Sequence, residues 1–278
     1  MSAPGTEAAR RINAMTLPPN QPLTPRTPFG RADLQVHTSH GDGMDSASAI
    51  FARVEARAEI DVVGITDHDD VRGALEAREA HARGDYQFDL VTGIEVTTLH
   101  GHVLALWVDE PIASFKRLEE TVAAIHRAGG LAVVPHPFSL LTRSIGRRTL
   151  DRVMRIEDPA THLDGIELAN PMMRGWDVGE RAARANREQW HLAETGGSDA
   201  HFRETVGTAY TMFPGRTAAE LRRAILERST SGVLVKTTPY REIGARRLVL
   251  QQARGLAVTP RKVIGGRIER WRAARQQA

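Results

Sequence analysis

Cysteine is missing from all 278 residues. That excludes a disulfide framework, a thiolate metal site and a cysteine nucleophile, and it suits a cytoplasmic setting. No run of 18 apolar residues occurs, so no membrane-spanning helix is expected. Residues 1–30 hold six prolines and lack the apolar stretch of a secretory signal. They read as a disordered Pro-rich leader, because proline withholds the amide donors that helices and sheets need. The rest of the composition is ordinary for a globular protein: 41% hydrophobic, 26% charged, net charge +3.

The charge is unevenly spread. Residues 236–278 carry eleven Lys/Arg against two Asp/Glu, so residues 1–235 are net acidic. A basic extension over 237–278 either contacts nucleic acid or phosphate, or forms the solvated face of a helix. It reads as helical around 246–254, is broken by Pro260 and Gly265-Gly266, and is too poor in apolar positions to form its own core.

Between leader and tail, short apolar runs alternate with helical patterns. Strands are expected at 32–37, 61–66, 89–96, 102–108, 131–135, 165–168, 191–196, 208–213 and 233–236. Helices are expected from 47 with Ser46 as N-cap, at 71–83, around 118–125, at 178–189, and after a Thr217/Glu220 capping box. This alternation predicts a parallel α/β sheet, open or closed into a barrel.

Polar chemistry collects at the strand ends. His37 ends the first strand and Asp42 follows in a Gly-rich loop; Asp67-His68-Asp69-Asp70 follows the second; Glu95 lies in the third; His102 opens the fourth. His136 closes LAVVPHP, Glu167 and Asn170 end GIELAN, and Asp199 and His201 sit in GGSDAH. In a parallel barrel the carboxyl ends of the strands meet at one mouth. Imidazoles and carboxylates gathered there would repel or stay unpaired unless cations held them, and they are ligands that zinc, manganese or iron accept. Glu95 is the most telling, since an acid inside an apolar strand is costly unless paired or metal-bound. Asp67 and Asp69 are equally compatible with turn capping. His81, His126, His162 and His191 end no strand and are set aside, while His40 and His100 are loop residues near the cluster.

The ordered motifs DLQVHTSHGDG, GITDHDD, GIEVTTLHGHVLAL, VVPHPF and GGSDAH resemble the polymerase and histidinol phosphatase (PHP) superfamily over about residues 31–236. The resemblance implies a distorted (βα)7 TIM-like barrel with two or three divalent metal ions (Mn, Zn or Fe). It implies His37 and Asp199 on a first metal, Glu95 bridging to a second completed by His102 and His136, and Asp42, His68 and His201 on a third. His37, Glu95, Asp199 and His201 are then the catalytic group. Gln35 departs from the pattern: it stands where the family has the first histidine of His-x-His. An amide oxygen is a weaker ligand for borderline cations, so Gln35 is either a weak metal ligand or a hydrogen-bonding neighbour of the site.

The implied activity is a metal-dependent phosphoesterase acting on a phosphomonoester or phosphodiester through a metal-bound hydroxide. Small phosphorylated molecules, nucleotides and oligonucleotides are all candidate substrates, and Arg143 is expected to meet the anionic group, because a guanidinium fork matches phosphate oxygens. A similar branch hydrolyses carboxylic esters and carbamates, which gives one alternative, a carboxylic-ester, carbamate or amide hydrolase with the same metal centre. The other is a catalytically weakened, nucleic-acid-associated protein using the basic tail.

Overall fold

A computed structural model describes residues 28–173, 177–235 and 240–255. Among the described residues nine strands form one sheet: β1 (Phe29–Val36), β2 (Val62–Ile65), β3 (Asp89–Thr97), β4 (His102–Leu106), β5 (Leu131–Val134), β6 (Gly165–Ala169), β7 (Ala193–Gly196), β8 (Ala209–Pro214) and β9 (Ser231–Leu234). Their spatial order is β7-β6-β5-β4-β3-β2-β1-β8-β9. β1, β2 and β3 pair in parallel, as do β5, β6 and β7. β4 runs against both β3 and β5, and β8 against both β1 and β9.

The sheet is therefore mixed where the sequence pattern predicts a parallel one. The reason for β4 is local: Thr97 pairs with His102, and residues 98–101 are too few for a crossover, so the chain must return as a hairpin. The sheet curls until its ends nearly close into a barrel. At the seam, the Gly196 N–H donates to the Thr211 hydroxyl, which donates back to the Gly196 carbonyl, both at 3.0 Å. Thr230 donates to the Glu194 carbonyl at 2.7 Å. A side chain at Gly232 would strike the Thr195 carbonyl, its Cβ only 2.4 Å away, so glycine lets the seam approach this closely.

Helices cover the outside: α1 (Ala47–Arg57), α2 (Arg72–Ala82), α3 (Leu118–Arg127), α4 (Arg147–Val153), α5 (Val178–Ala185) and α6 (Ala218–Leu226). α1 starts where Ser46 caps the Ala49 N–H, and it buries Ile50, Phe51 and Val54. α3 buries Leu118, Val122 and Ile125, and the Thr217/Glu220 capping box opens α6. Apolar sandwiches between these helices and the sheet hold the strand ends in place, with Val36, Ile65 and Phe51 in one and Val96, Val134 and Leu150 in another. α4 is an element that the sequence pattern did not predict.

β1 begins at Phe29, so residues 29 and 30 belong to the sheet and not to the leader; residues 1–27 lie outside the described residues. The predicted strand at 233–236 is realised earlier, as Ser231–Leu234. Of the basic extension, 240–243 and 245–255 are helical, and residues 256–278 lie outside the described residues. Among the described residues no helix is long and apolar enough to cross a membrane.

Candidate metal centre

Strand direction gathers the polar residues. His37 follows β1, Asp67 and His68 follow β2, Glu95 lies in β3, His136 follows β5, and Asp199 and His201 follow β7. His102 opens its strand instead of closing it. Because β4 is reversed, its beginning lies at the same mouth as the ends of its neighbours.

Glu95 is fully buried at the centre. One of its oxygens, Oε1, lies 2.7 Å from His102 Nδ1 and 3.1 Å from His136 Nε2. The other, Oε2, lies 3.2 Å from His37 Nε2 and 3.8 Å from His68 Nδ1. Asp199 Oδ1 is 3.2 Å from His37 Nε2, and Asp42 Oδ2 is 3.1 Å from His201 Nε2. Three overlapping groups have ligand atoms within 4.8 Å of one another: His37, Glu95 and Asp199; His68, Glu95 and His102; and His37, Asp42, His68 and His201. All eight residues expected to ligate metal thus converge, with His136 joining through Glu95. His136 and Asp199 hold left-handed backbone conformations, φ 32° and 52°, the kind of strain that packing sustains at functional sites.

The donor atoms fit divalent cations. Both His37 nitrogens, His102 Nδ1 and Asp42 Oδ1 are buried without a hydrogen-bond partner, although other ligand atoms stand close by. Buried donor atoms left this close together suit the ligands of a shared cation, with one nitrogen of each neutral imidazole free to bind it. His201 donates its Nδ1–H to the Asp199 carbonyl at 3.0 Å, and His136 Nδ1 meets the Thr142 and Ser144 hydroxyls at 2.9 and 3.0 Å. The carbonyl contact fixes the His201 tautomer, and both sets of outer contacts hold the rings so that the other nitrogen faces inward. Burial opposes the charge on Glu95, yet His68, His102 and His136 outweigh it and hold its carboxyl well below the usual range. Burial likewise opposes the His37 imidazolium, but Asp199 and Glu95 raise its pKa. His68, stacked 4.8 Å from the His37 ring, is pushed down to about 4 by burial, with His37 and His102 adding to the effect. Stacked imidazoles cannot all carry protons, and a metal ion meets the same carboxylates without that repulsion.

Gln35 sits among them, fully buried. The Met172 backbone N–H donates to Asn170 Oδ1 at 2.8 Å, which fixes the way that amide faces. Asn170 Nδ2 therefore donates to Gln35 Oε1 at 3.1 Å, and Gln35 Nε2 donates to Glu95 Oε2 at 2.9 Å. A backbone amide thus sets the orientation of Gln35 through one intervening side chain, and Gln35 turns an N–H, not a lone pair, toward the centre.

Other expected residues have different work. Asp67 accepts from the Thr38 N–H and hydroxyl at 2.7 and 2.6 Å, and Asp69 accepts from the Thr97 N–H, the Thr97 hydroxyl and Ser114. Both tie neighbouring strand ends together. Glu167, which burial pushes up to about 8, accepts the His136 N–H at 2.9 Å. Arg143 is exposed, its guanidinium 5.7 Å from the centre of the Phe115 ring and outside the cavity; its backbone carbonyl accepts the His102 N–H at 2.9 Å. His81, His126 and His162 bond to carbonyl groups elsewhere. The mouth is a cavity of about 360 Å³ whose lining includes His68, Glu95 and His136 on the floor and Gln251 and Gln252 from the tail. The sequence pattern gave no sign of those two glutamines.

A family model described as PHP-associated matches residues 180–230. An uncharacterized protein of Methanocaldococcus jannaschii is 30% identical over 155 residues, 52% of this chain and 84% of that protein. The chain belongs to the PHP superfamily. Among solved structures, the PHP fold is matched by a two-domain protein of Bacteroides vulgatus, described as containing a predicted PHP-like metal-dependent phosphoesterase, with TM-score 0.59, 18% identity and coverage of 81% of this chain and 70% of that one. PsfC of Pseudomonas syringae aligns with TM-score 0.57 and 20% identity over 83% of this chain and 99% of its own. An amidohydrolase of Chromobacterium violaceum aligns with TM-score 0.51 and 21% identity over 71% of this chain and 96% of its own.

Proposed function

We propose that this protein is a metal-dependent hydrolase acting as a phosphoesterase. The observation that carries the reading is Glu95, whose two oxygens are each met by imidazoles from different strands. A carboxylate so placed suits the shared ligand of two cations. In this reading His37 and Asp199 hold one ion with Glu95, His102 and His136 hold the second, and Asp42, His68 and His201 hold a third. Bound manganese, zinc or iron would activate water near neutral pH and neutralise charge on the ester oxygens.

The chain's own residues supply position. Thr142 and Ser144 orient His136, and the Asp199 carbonyl orients His201, which keeps both inner nitrogens aimed inward. Neither Asp199 nor His201 is free to act as a general base, since each already faces other ligands. A hydrolytic role is supported by the shared fold of the Bacteroides protein, with its predicted PHP-like phosphoesterase, and the Chromobacterium amidohydrolase. No lysine or arginine among the described residues lines the cavity, and this favours an uncharged ester or amide as the second reading.

Elemental analysis of the purified protein, followed by assays on p-nitrophenyl phosphate, bis(p-nitrophenyl) phosphate and p-nitrophenyl acetate, decides between them. Glu95→Gln should lower metal affinity at least ~100-fold, beyond what loss of an outer contact costs, and abolish turnover of whichever ester is accepted. Full activity in that variant, with metal retained, refutes the reading.

A further inference from the structure

The helical segment 245–255 lies across the mouth, which it lines with Gln251, Gln252 and the half-buried Leu248. Arg247, Gln251 and Arg254 recur at helical spacing, as do Leu248 and Gln252. Val249 and Leu250, the apolar residues a covering helix would bury, are instead 69% and 48% exposed. The inward face is thus more polar than that of an ordinary surface helix. Two arginines fasten it. Arg247 donates to Glu204 at 2.7 Å and to Asp45 at 2.8 Å, and Arg254 donates to the Ser39 and Gly41 carbonyls, the latter at 3.1 Å, on the loop that carries Asp42. At its end a Cβ on Gly255 would stand 3.5 Å from Asp42 Oδ2.

Between these anchors, Gln251 is buried and Gln252 lies at the rim. Gln252 Nε2 donates to Gln251 Oε1 at 2.9 Å, which leaves the Gln251 amide hydrogens and the Gln252 carbonyl to serve the cavity that both side chains line. A wall serving only to exclude water needs no such pair, since a buried amide such as that of Gln251 is costly without partners. The same cavity is small, about 360 Å³, near the lower end for sites that enclose small molecules.

We propose that segment 245–255 is the specificity wall of the metal centre, with Gln251 and Gln252 hydrogen-bonding the uncharged, hydroxyl-bearing part of a compact ester. This rests on the hydrolase reading and narrows its substrate class: a small polyol-like phosphoester, not a nucleic-acid strand, which the wall excludes.

Two measurements on the whole 278-residue chain test it. A nitroxide on Gln252→Cys, the sole thiol of a chain without cysteine, should show a manganese-broadened EPR spectrum, relieved by Arg247→Ala with Arg254→Ala. A spectrum indifferent to manganese overturns the placement. By calorimetry, Gln251→Ala and Gln252→Ala should each raise Kd for the non-hydrolysable phosphonate analogue of glycerol phosphate about fivefold to tenfold, the weight of one hydrogen bond. Binding of methylphosphonate should stay unchanged. Equal effects on both ligands, or none on either, overturn the specificity role, as does cleavage of a short oligonucleotide by the unaltered protein. If every ester resists the unaltered protein while these binding and EPR results hold, the hydrolase reading fails and the wall stands.

Discussion

The floor of the cavity is fixed by the sheet itself, whereas its wall rests on the barrel through side chains. His37, Glu95, His102, His136 and Asp199 occupy or adjoin five different strands whose pairing sets their spacing. Segment 245–255 is held by the salt bridges of Arg247 and the carbonyl contacts of Arg254. The contrast follows from what each part must do. Ligands that share a cation must keep their positions to a fraction of an ångström, which only a packed scaffold ensures. A surface that selects among substrates tolerates more movement, and partly exposed ion pairs hold it with little energy.

The largest test of this contrast disturbs the floor from a distance. Gly101 turns the β3–β4 hairpin with φ +136°, and a Cβ there would stand 2.6 Å from the Ser144 backbone. Gly101→Ala therefore carries both conformational strain and a backbone clash, a loss of about 2–4 kcal/mol in urea unfolding. Since Ser144 holds His136, metal affinity should fall with it, while the wall, anchored elsewhere, keeps its broadened EPR spectrum once manganese is added to saturation. Equal loosening of floor and wall would show that the two are one unit.

Much of the floor is legible in the sequence, and the reasons are local. Several of the ligands follow or end an apolar run, so LQVH, VVPH and GIE mark a strand and its polar end together. The direction of β4 is not written in that pattern, because alternation has no sense of direction; only the brevity of 98–101 signals it. The relay from Met172 through Asn170 to Gln35 joins residues brought together by folding, and no spacing announces it. The wall is the least legible. An arginine-rich helix reads as a solvated face, and nothing in Gln251-Gln252 tells which way those amides point.

The relay offers a sharper, smaller test. Gln35 presents an N–H to Glu95, so Gln35→His replaces a donor by an imidazole able to ligate. Metal affinity at the His37 and Asp199 position should rise about tenfold in a metal titration, the scale on which contacts around a metal act. An unchanged affinity and stoichiometry would mean that position 35 does not face the metal.

The smallest effect separates wall from floor by pH. Burial raises the Glu204 carboxyl, but hydrogen bonding from Arg247 and its charge outweigh this and hold the pKa below the usual value. A carboxylate depressed in the folded state contributes its stabilisation above its ordinary pKa and loses it as pH falls through the folded value. The wall should therefore loosen on the acid side, and because the Arg247 end of the pair is partly open to solvent, by about 1 kcal/mol. A nitroxide on Ala253→Cys reports this: its mobility should rise as pH drops below about 4.5, the ordinary glutamate range. In Arg247→Ala the label should be mobile already at neutral pH and insensitive to acid. The floor should respond differently, since protonation of its imidazoles expels metal at higher pH, before Glu204 takes up its proton. Two separate transitions, metal release first and wall release second, are what independent fastening requires; a single shared transition would join the regions that the structure keeps apart.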